Sequence, residues 1–191
     1  MVCGFKGKMM KKNFLLIISF ICFLQTISFA QNFQKYTKNI KLLQKGKNSD
    51  ICPECGMKLS VFGKTNHAVK LKNGKYIQFC SIRDLIKAER EKGFPIEQYL
   101  AVDAKNEIFK DATKMWYVVG SRVKGTMSTV SKISFSEKKD AIEFKKEFGG
   151  EVMSFIKAKE ISEKILDKDI KEINRKNALS SKFHGNIHLN Y

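Results

Sequence analysis

Two thiols and a thioether fall within six residues at Cys52-Pro53-Glu54-Cys55-Gly56-Met57. Thiolate and thioether are soft ligands, the kind that select Cu(I) over harder divalent ions. A Cys-x-x-Cys pair alone points equally to zinc or to dithiol redox chemistry, and the Met that follows Cys-Gly is what tilts the reading to copper. Cys55 is the best anchor, because its thiolate brings the negative charge that the cation needs. Gly56 permits the tight backbone that turns a neighbouring side chain toward the same ion. Met57 offers a sulfur that needs no deprotonation and lets the metal go readily, as a carrier requires.

Met127 is a second soft candidate, in the polar loop Gly125-Thr126-Met127-Ser128 between two expected strands. Met115 and Met153 lie among apolar neighbours on strands and read as packing residues. His67 opens a strand, where an imidazole either assists the metal or serves the core. Cys52 has two readings, a partner of Cys55 on the metal or half of a disulfide that blocks uptake until reduced. Cys80 either approaches the Cys52–Cys55 loop or is a small buried hydrophobe. Zn(II) is the alternative ion: structural zinc takes four ligands, and Cys52, Cys55, Cys80 and His67 could complete a Cys3His site. A thioredoxin-like role is weaker, since no βαβ pattern presents the pair at a helix N-terminus. His184 and His188 have i,i+4 spacing suited to a metal, but Gly185 lies between them in a terminal tail.

The elements that position these residues alternate strand and helix. Leu59–Phe62 and His67–Leu71 read as strands, Asn73-Gly74 as a hairpin turn and Lys75–Phe79 as the returning strand. Ser81 caps a helix over Ile82–Glu91, which Gly93 and Pro95 end. After a mixed stretch from Ile96 to Lys114 come a strand at Met115–Val119 and another at Val130–Phe135. Ser136 then caps a helix over Glu137–Phe148, and a last strand covers Glu151–Phe155. Ile77, Phe79, Asp84, Ile86 and Gly93 are echoed 56 residues later by Ile133, Phe135, Asp140, Ile142 and Gly149. The expected fold class is α+β, two packed ββαβ units at about 50–112 and 113–160. Residues 31–49 form a basic lead-in with helical apolar spacing at Phe33, Tyr36, Ile40 and Leu43. Residues 161–191 form a charged helix, with a thin stripe at Ile161, Ile165, Ile170 and Ile173, and a flexible tail.

Residues 1–30 set the compartment. Lys6, Lys8, Lys11 and Lys12 precede the apolar run Phe14–Leu24, and Ser28-Phe29-Ala30 supplies small residues for cleavage before Gln31. This reads as an export signal, the run being short for a membrane span; the alternative is an uncleaved anchor. Cys3 and Cys22 leave with the signal, and the remaining three cysteines are an odd set, unlike a disulfide framework. The formal charge is +17, and +13 without the four signal lysines. Such an excess in an exported chain points away from nucleic acid, and toward an anionic membrane surface, an acidic partner or simply a lysine-rich solvated surface.

Taken together the chain resembles the NosL family over about residues 50–160. The likeness rests on the Cys52–Met57 motif, on Val69-Lys70-Leu71-Lys72-Asn73-Gly74-Lys75 running into Phe79-Cys80-Ser81-Ile82-Arg83-Asp84-Leu85, and on Trp116-Tyr117-Val118-Val119-Gly120-Ser121. It continues through Gly125-Thr126-Met127, Asp140-Ala141 and Phe148-Gly149-Gly150. The resemblance implies a periplasmic Cu(I) metallochaperone whose paired ββαβ units are similar to the organomercurial lyase fold. Its partners would be an ABC-type maturation complex in the inner membrane and apo nitrous oxide reductase or another copper enzyme. The family's Cys-Gly-Met falls on Cys55, Gly56 and Met57, and its Gly-Pro-Met loop on Gly125, Thr126 and Met127, with Thr in place of Pro. Two features depart from the family: there is no lipobox, and Cys80 stands where Asp often precedes the capping Ser. The implied role is non-enzymatic, against a zinc-stabilised interaction domain or a cysteine-dependent lyase or thiol oxidoreductase.

Overall fold

Both halves of the sequence echo fold into the same ββαβ arrangement in a computed structural model that describes Phe33 and residues 40–185, the side chains of 181–185 excepted. The export signal, most of the lead-in and His188 lie outside the described residues, as does the side chain of His184. In the first half, β1 (His67–Leu71) and β2 (Tyr76–Phe79) are antiparallel, with His67 opposite Phe79 and Lys70 opposite Tyr76. Their turn is the one that Asn73-Gly74 demands: Gly74 takes φ +79°, and the Asn73 side chain accepts from the Lys75 N–H at 3.1 Å. Helix α1 (Ile82–Lys92) follows at once, its Asp84 N–H donating to Ser81 Oγ and its end closed by Gly93 in the left-handed region.

The stretch left as mixed is two strands, β3 (Ile96–Asp103) and β4 (Ile108–Asp111). They complete an antiparallel sheet of order β2-β1-β3-β4. The second half repeats the plan with β5 (Trp116–Val119), β6 (Lys132–Phe135), α2 (Lys138–Phe148) and β7 (Glu151–Ser154), in the order β6-β5-β7. The two units meet where β3 ends. Ala104 N–H donates to the Ser134 carbonyl at 2.8 Å, and Ser134 Oγ donates back to the Val102 carbonyl at 2.7 Å.

Three local expectations are corrected. Leu59–Phe62 is turn rather than strand, because Asp50 captures the Ser60 N–H and hydroxyl, each at 2.7 Å, and curls the chain back. Ser136 does not cap α2: its hydroxyl and N–H both donate to the buried Asp103, leaving Glu137 as N-cap without a side-chain bond. The last strand stops at Ser154, and α3 (Phe155–Gly185) starts directly after it.

Helix α3 lies against α1 and the second sheet. Its stripe isoleucines are only half-buried; the buried line is Phe155, Ala158, Ser162, Leu166 and Asp169, at helical spacing. Small and polar residues serve there because each finds a partner: Ser162 Oγ donates to the Ala158 carbonyl, and Asp169 holds the loop that carries Met127. One apolar core gathers Leu59, Phe79, Leu85, Tyr117, Phe155 and Leu166 from the cysteine loop, β2, α1, β5 and α3. A second packs Phe33, Ile133, Phe135, Phe144 and Phe148 beneath α2.

Candidate metal centre

The Cys52–Met57 segment is a closed loop. An isolated bridge pairs Ile51 with Lys58, Cys52 N–H donates to the Met57 carbonyl at 2.9 Å, and Gly56 N–H donates to the Cys52 carbonyl at 2.9 Å. Gly56 has φ +75°, which a side chain would strain. Glu54, between the two cysteines, pins the loop to α1 by accepting from Lys87 and, at 3.3 Å, from Lys92. The loop also faces the start of α1, where the Ser81 cap holds the Asp84 backbone and Cys80 immediately precedes the cap.

Four ligand atoms converge there, one each from Cys52, Cys55, Cys80 and Asp84, all within 4.8 Å of one another. Cys55 Sγ is 3.5 Å from Cys80 Sγ, and Asp84 Oδ2 is 3.3 Å from Cys80 Sγ and 3.6 Å from Cys52 Sγ. All three cysteines are free thiols. Sulfurs bound at about 2.3 Å to one tetrahedral ion stand roughly 3.8 Å apart, so the donors need little movement to enclose a cation. Cys52, Cys80 and Asp84 are buried, whereas Cys55 is half-exposed and forms the door of the cluster.

The electrostatics suit a cation. Cys52 is held well below the ordinary thiol range, because the Cys55 and Cys80 side chains hydrogen-bond to its sulfur. The same bonds push Cys55 and Cys80 upward, so one proton leaves easily and the next ones do not. Burial raises Asp84, and the charge on Cys52 raises it further. A cation reverses this logic, since it rewards every anionic ligand at once. Arg83 adds the only guanidinium beside the cluster among the described residues, its Nη1 2.6 Å from Asp84 Oδ1.

The other sequence candidates divide. Met57 and Met127 are half-buried against the same apolar core that contains Cys52 and Cys80. The Met127 loop is tied to the site: Thr65 Oγ1 is 2.9 Å from Thr126 Oγ1 and donates to the Cys80 carbonyl at 2.8 Å. Met127 itself takes φ +53°, unusual for a residue with a side chain. His67 is not in the cluster. It is buried, with Nδ1 3.0 Å from the Thr65 carbonyl and Nε2 3.0 Å from the Tyr117 hydroxyl. Asp84 takes the fourth place that a Cys3His site would give it. Sequence reasoning missed Asp84 as a candidate ligand; its position four residues after Cys80, in the first turn of α1, was the available signal.

Burial pushes His67 down to about 4. Its folded value is depressed below the ordinary 6.5, so its contribution to stability is complete above that pH and is lost as pH falls toward 4. The loss expected is about 3 kcal/mol. Urea unfolding of wild type and His67→Gln across this range measures it, the variant showing the flatter pH profile.

Fold and site together define an α+β protein of paired ββαβ units, the first of which gathers three free thiols and a buried carboxylate. The sequence model of the NosL family matches residues 44–166, and the chain belongs to that family. Among solved structures, the copper chaperone NosL from Shewanella denitrificans is similar, at 26% identity and a TM-score of 0.47, over 63% of this chain and 93% of that one. No curated protein sequence matches the chain.

Proposed function

We propose that this chain is an exported, periplasmic Cu(I) metallochaperone that acts by ligand exchange rather than by catalysis. Its cargo is bound by Cys52, Cys55 and Cys80, with the Met57 and Met127 thioethers beside them for transfer. The observation that carries the reading is the three-thiol cluster beneath the Cys-Gly-Met loop, with Cys55 alone of the three reaching the surface. A soft monovalent ion is satisfied by two or three sulfurs, so the ion can be enclosed by the inner thiols and released through Cys55. Membership of the NosL family, with the motif resemblance, supports nitrous oxide reductase or a related copper enzyme as the recipient, reached through an ABC-type maturation complex.

Anaerobic titration of the reduced mature chain with Cu(I) against a competing chelator tests this. One tightly held Cu(I) per chain is expected, lost when Cys52 and Cys55 are both replaced by serine. Zinc is the second reading, favoured by the oxygen ligand that Asp84 supplies. It requires stoichiometric zinc in the purified protein and unfolding on chelation.

A further inference from the structure

Beside Met127 the surface is hollowed and strongly basic. Two adjoining hollows of about 470 and 430 Å³ run between the Met127 loop and the C-terminal half of α3, sharing Thr129 and Glu172. Met127 and Ile173 give the first hollow its apolar lining, with Lys124 and Lys176 beside them. Lys168, Lys171 and Arg175 line the second, at i, i+3 and i+7 on one face of α3. Against these five cations stand Glu172, which pairs with Arg175 at 2.8 Å and with Lys176 at 3.4 Å, and the buried Asp169. Among the described residues no carboxylate lies within ion-pair distance of Lys124, Lys168 or Lys171, all exposed.

The groove is also held in shape. Asp169 accepts from Ser128 Oγ at 2.6 Å and from the Thr129 N–H and hydroxyl at 2.8 Å each. The helix is thereby tied to the loop that carries Met127. The family match ends at residue 166, just before Lys168.

We propose that this groove docks an acidic segment of the protein that accepts the cargo, with an apolar side chain of that segment seated on Met127 and Ile173. The proposal rests on the copper-carrier reading and deepens it by naming the transfer face. Charge complementarity selects the occupant: uncompensated lysines around a concavity attract carboxylates and steer their approach. A flat anionic membrane would meet the helix crest but could not enter the hollows that hold Met127.

The test uses the mature chain and a fluorescein-labelled peptide of glutamates around a central methionine, read by anisotropy. Wild type should bind it, more weakly as salt rises. Lys168→Glu/Lys171→Glu should bind at least about tenfold more weakly. Lys72→Glu/Lys75→Glu, in the exposed turn between β1 and β2, should bind as wild type, and Cu(I) titration of both variants should be unchanged. Equal peptide binding by all three proteins overturns the proposal. So does loss of sedimentation with phosphatidylserine vesicles in the α3 variant while peptide binding persists, which makes the face a membrane surface. Peptide capture through this face by a wild-type chain that fails to bind Cu(I) when titrated overturns the identification of the occupant as a copper acceptor, and separates that failure from one of docking.

Discussion

Cys80→Ser is expected to lower Cu(I) affinity by more than about 100-fold, beyond what loss of a supporting contact to a ligand normally costs. Cys80 is wholly buried, and its sulfur lies 3.5 Å from Cys55 and 3.3 Å from Asp84. A hydroxyl is harder than a thiolate and stays protonated, so the substitution removes a soft anionic donor and leaves a neutral oxygen. The fold should survive, because the serine hydroxyl can donate to the same Asp84 oxygen and is close to thiol in size. A loss of about 1 kcal/mol in urea unfolding is the expected cost. Met57→Leu sets the comparison: it keeps the apolar contact and removes a neutral sulfur, and its effect on affinity should be smaller. Competition titration of both variants decides the order, and wild-type affinity in Cys80→Ser would take the cargo away from the cluster.

The contrast between those two residues shows what the sequence could carry. Cys52 to Met57 was legible because its chemistry is local: six residues, a glycine at positive φ and a loop closed by its own backbone bonds. The capped helix was equally legible, since Ser81 accepts from a backbone N–H three residues on. The paired ββαβ units followed from the repeated strand, cap and helix pattern. Cys80 and Asp84 depend instead on how the loop is pinned over α1, and the pin is Glu54, which pairs with lysines more than thirty residues away. No spacing rule announces such a bond.

The strands β3 and β4 were hidden for a related reason. Alternation fades along Ile96–Asp103, because the end of β3 is buried on all sides, by β1, by β4 and by the junction with β6. Its buried Asp103 reads as a turn residue, yet it accepts from the Ser136 N–H and hydroxyl across the two units. That bond also explains the lost Ser136 cap. The buried face of α3 was obscured by Ser162 and Asp169, polar residues whose partners become visible only in the folded chain. Where a polar group is bonded at long range, hydrophobic periodicity underreports burial.

Asp84 offers the sharpest separation of copper from zinc. Asp84→Asn keeps the shape and an amide oxygen that can still accept from Arg83, but removes the anionic oxygen ligand. Zn(II) is well served by a carboxylate and should lose about 10–100-fold in affinity, whereas Cu(I), held by sulfur, should change by less than about threefold. A removal that also deletes the acceptor is a different experiment. Asp84→Ala leaves Arg83, only 4% exposed and with its Nε already without a partner among the described residues, as an uncompensated buried charge. That loss should cost about 3–5 kcal/mol in urea unfolding, and Arg83→Met in the same chain should restore most of it. If the asparagine variant loses Cu(I) and Zn(II) equally, the carboxylate is a ligand to the cargo as well as the counter-ion of Arg83, and the copper site is the full Cys3Asp set. If it loses neither, Asp84 serves only the fold, and the three thiols alone carry the ion.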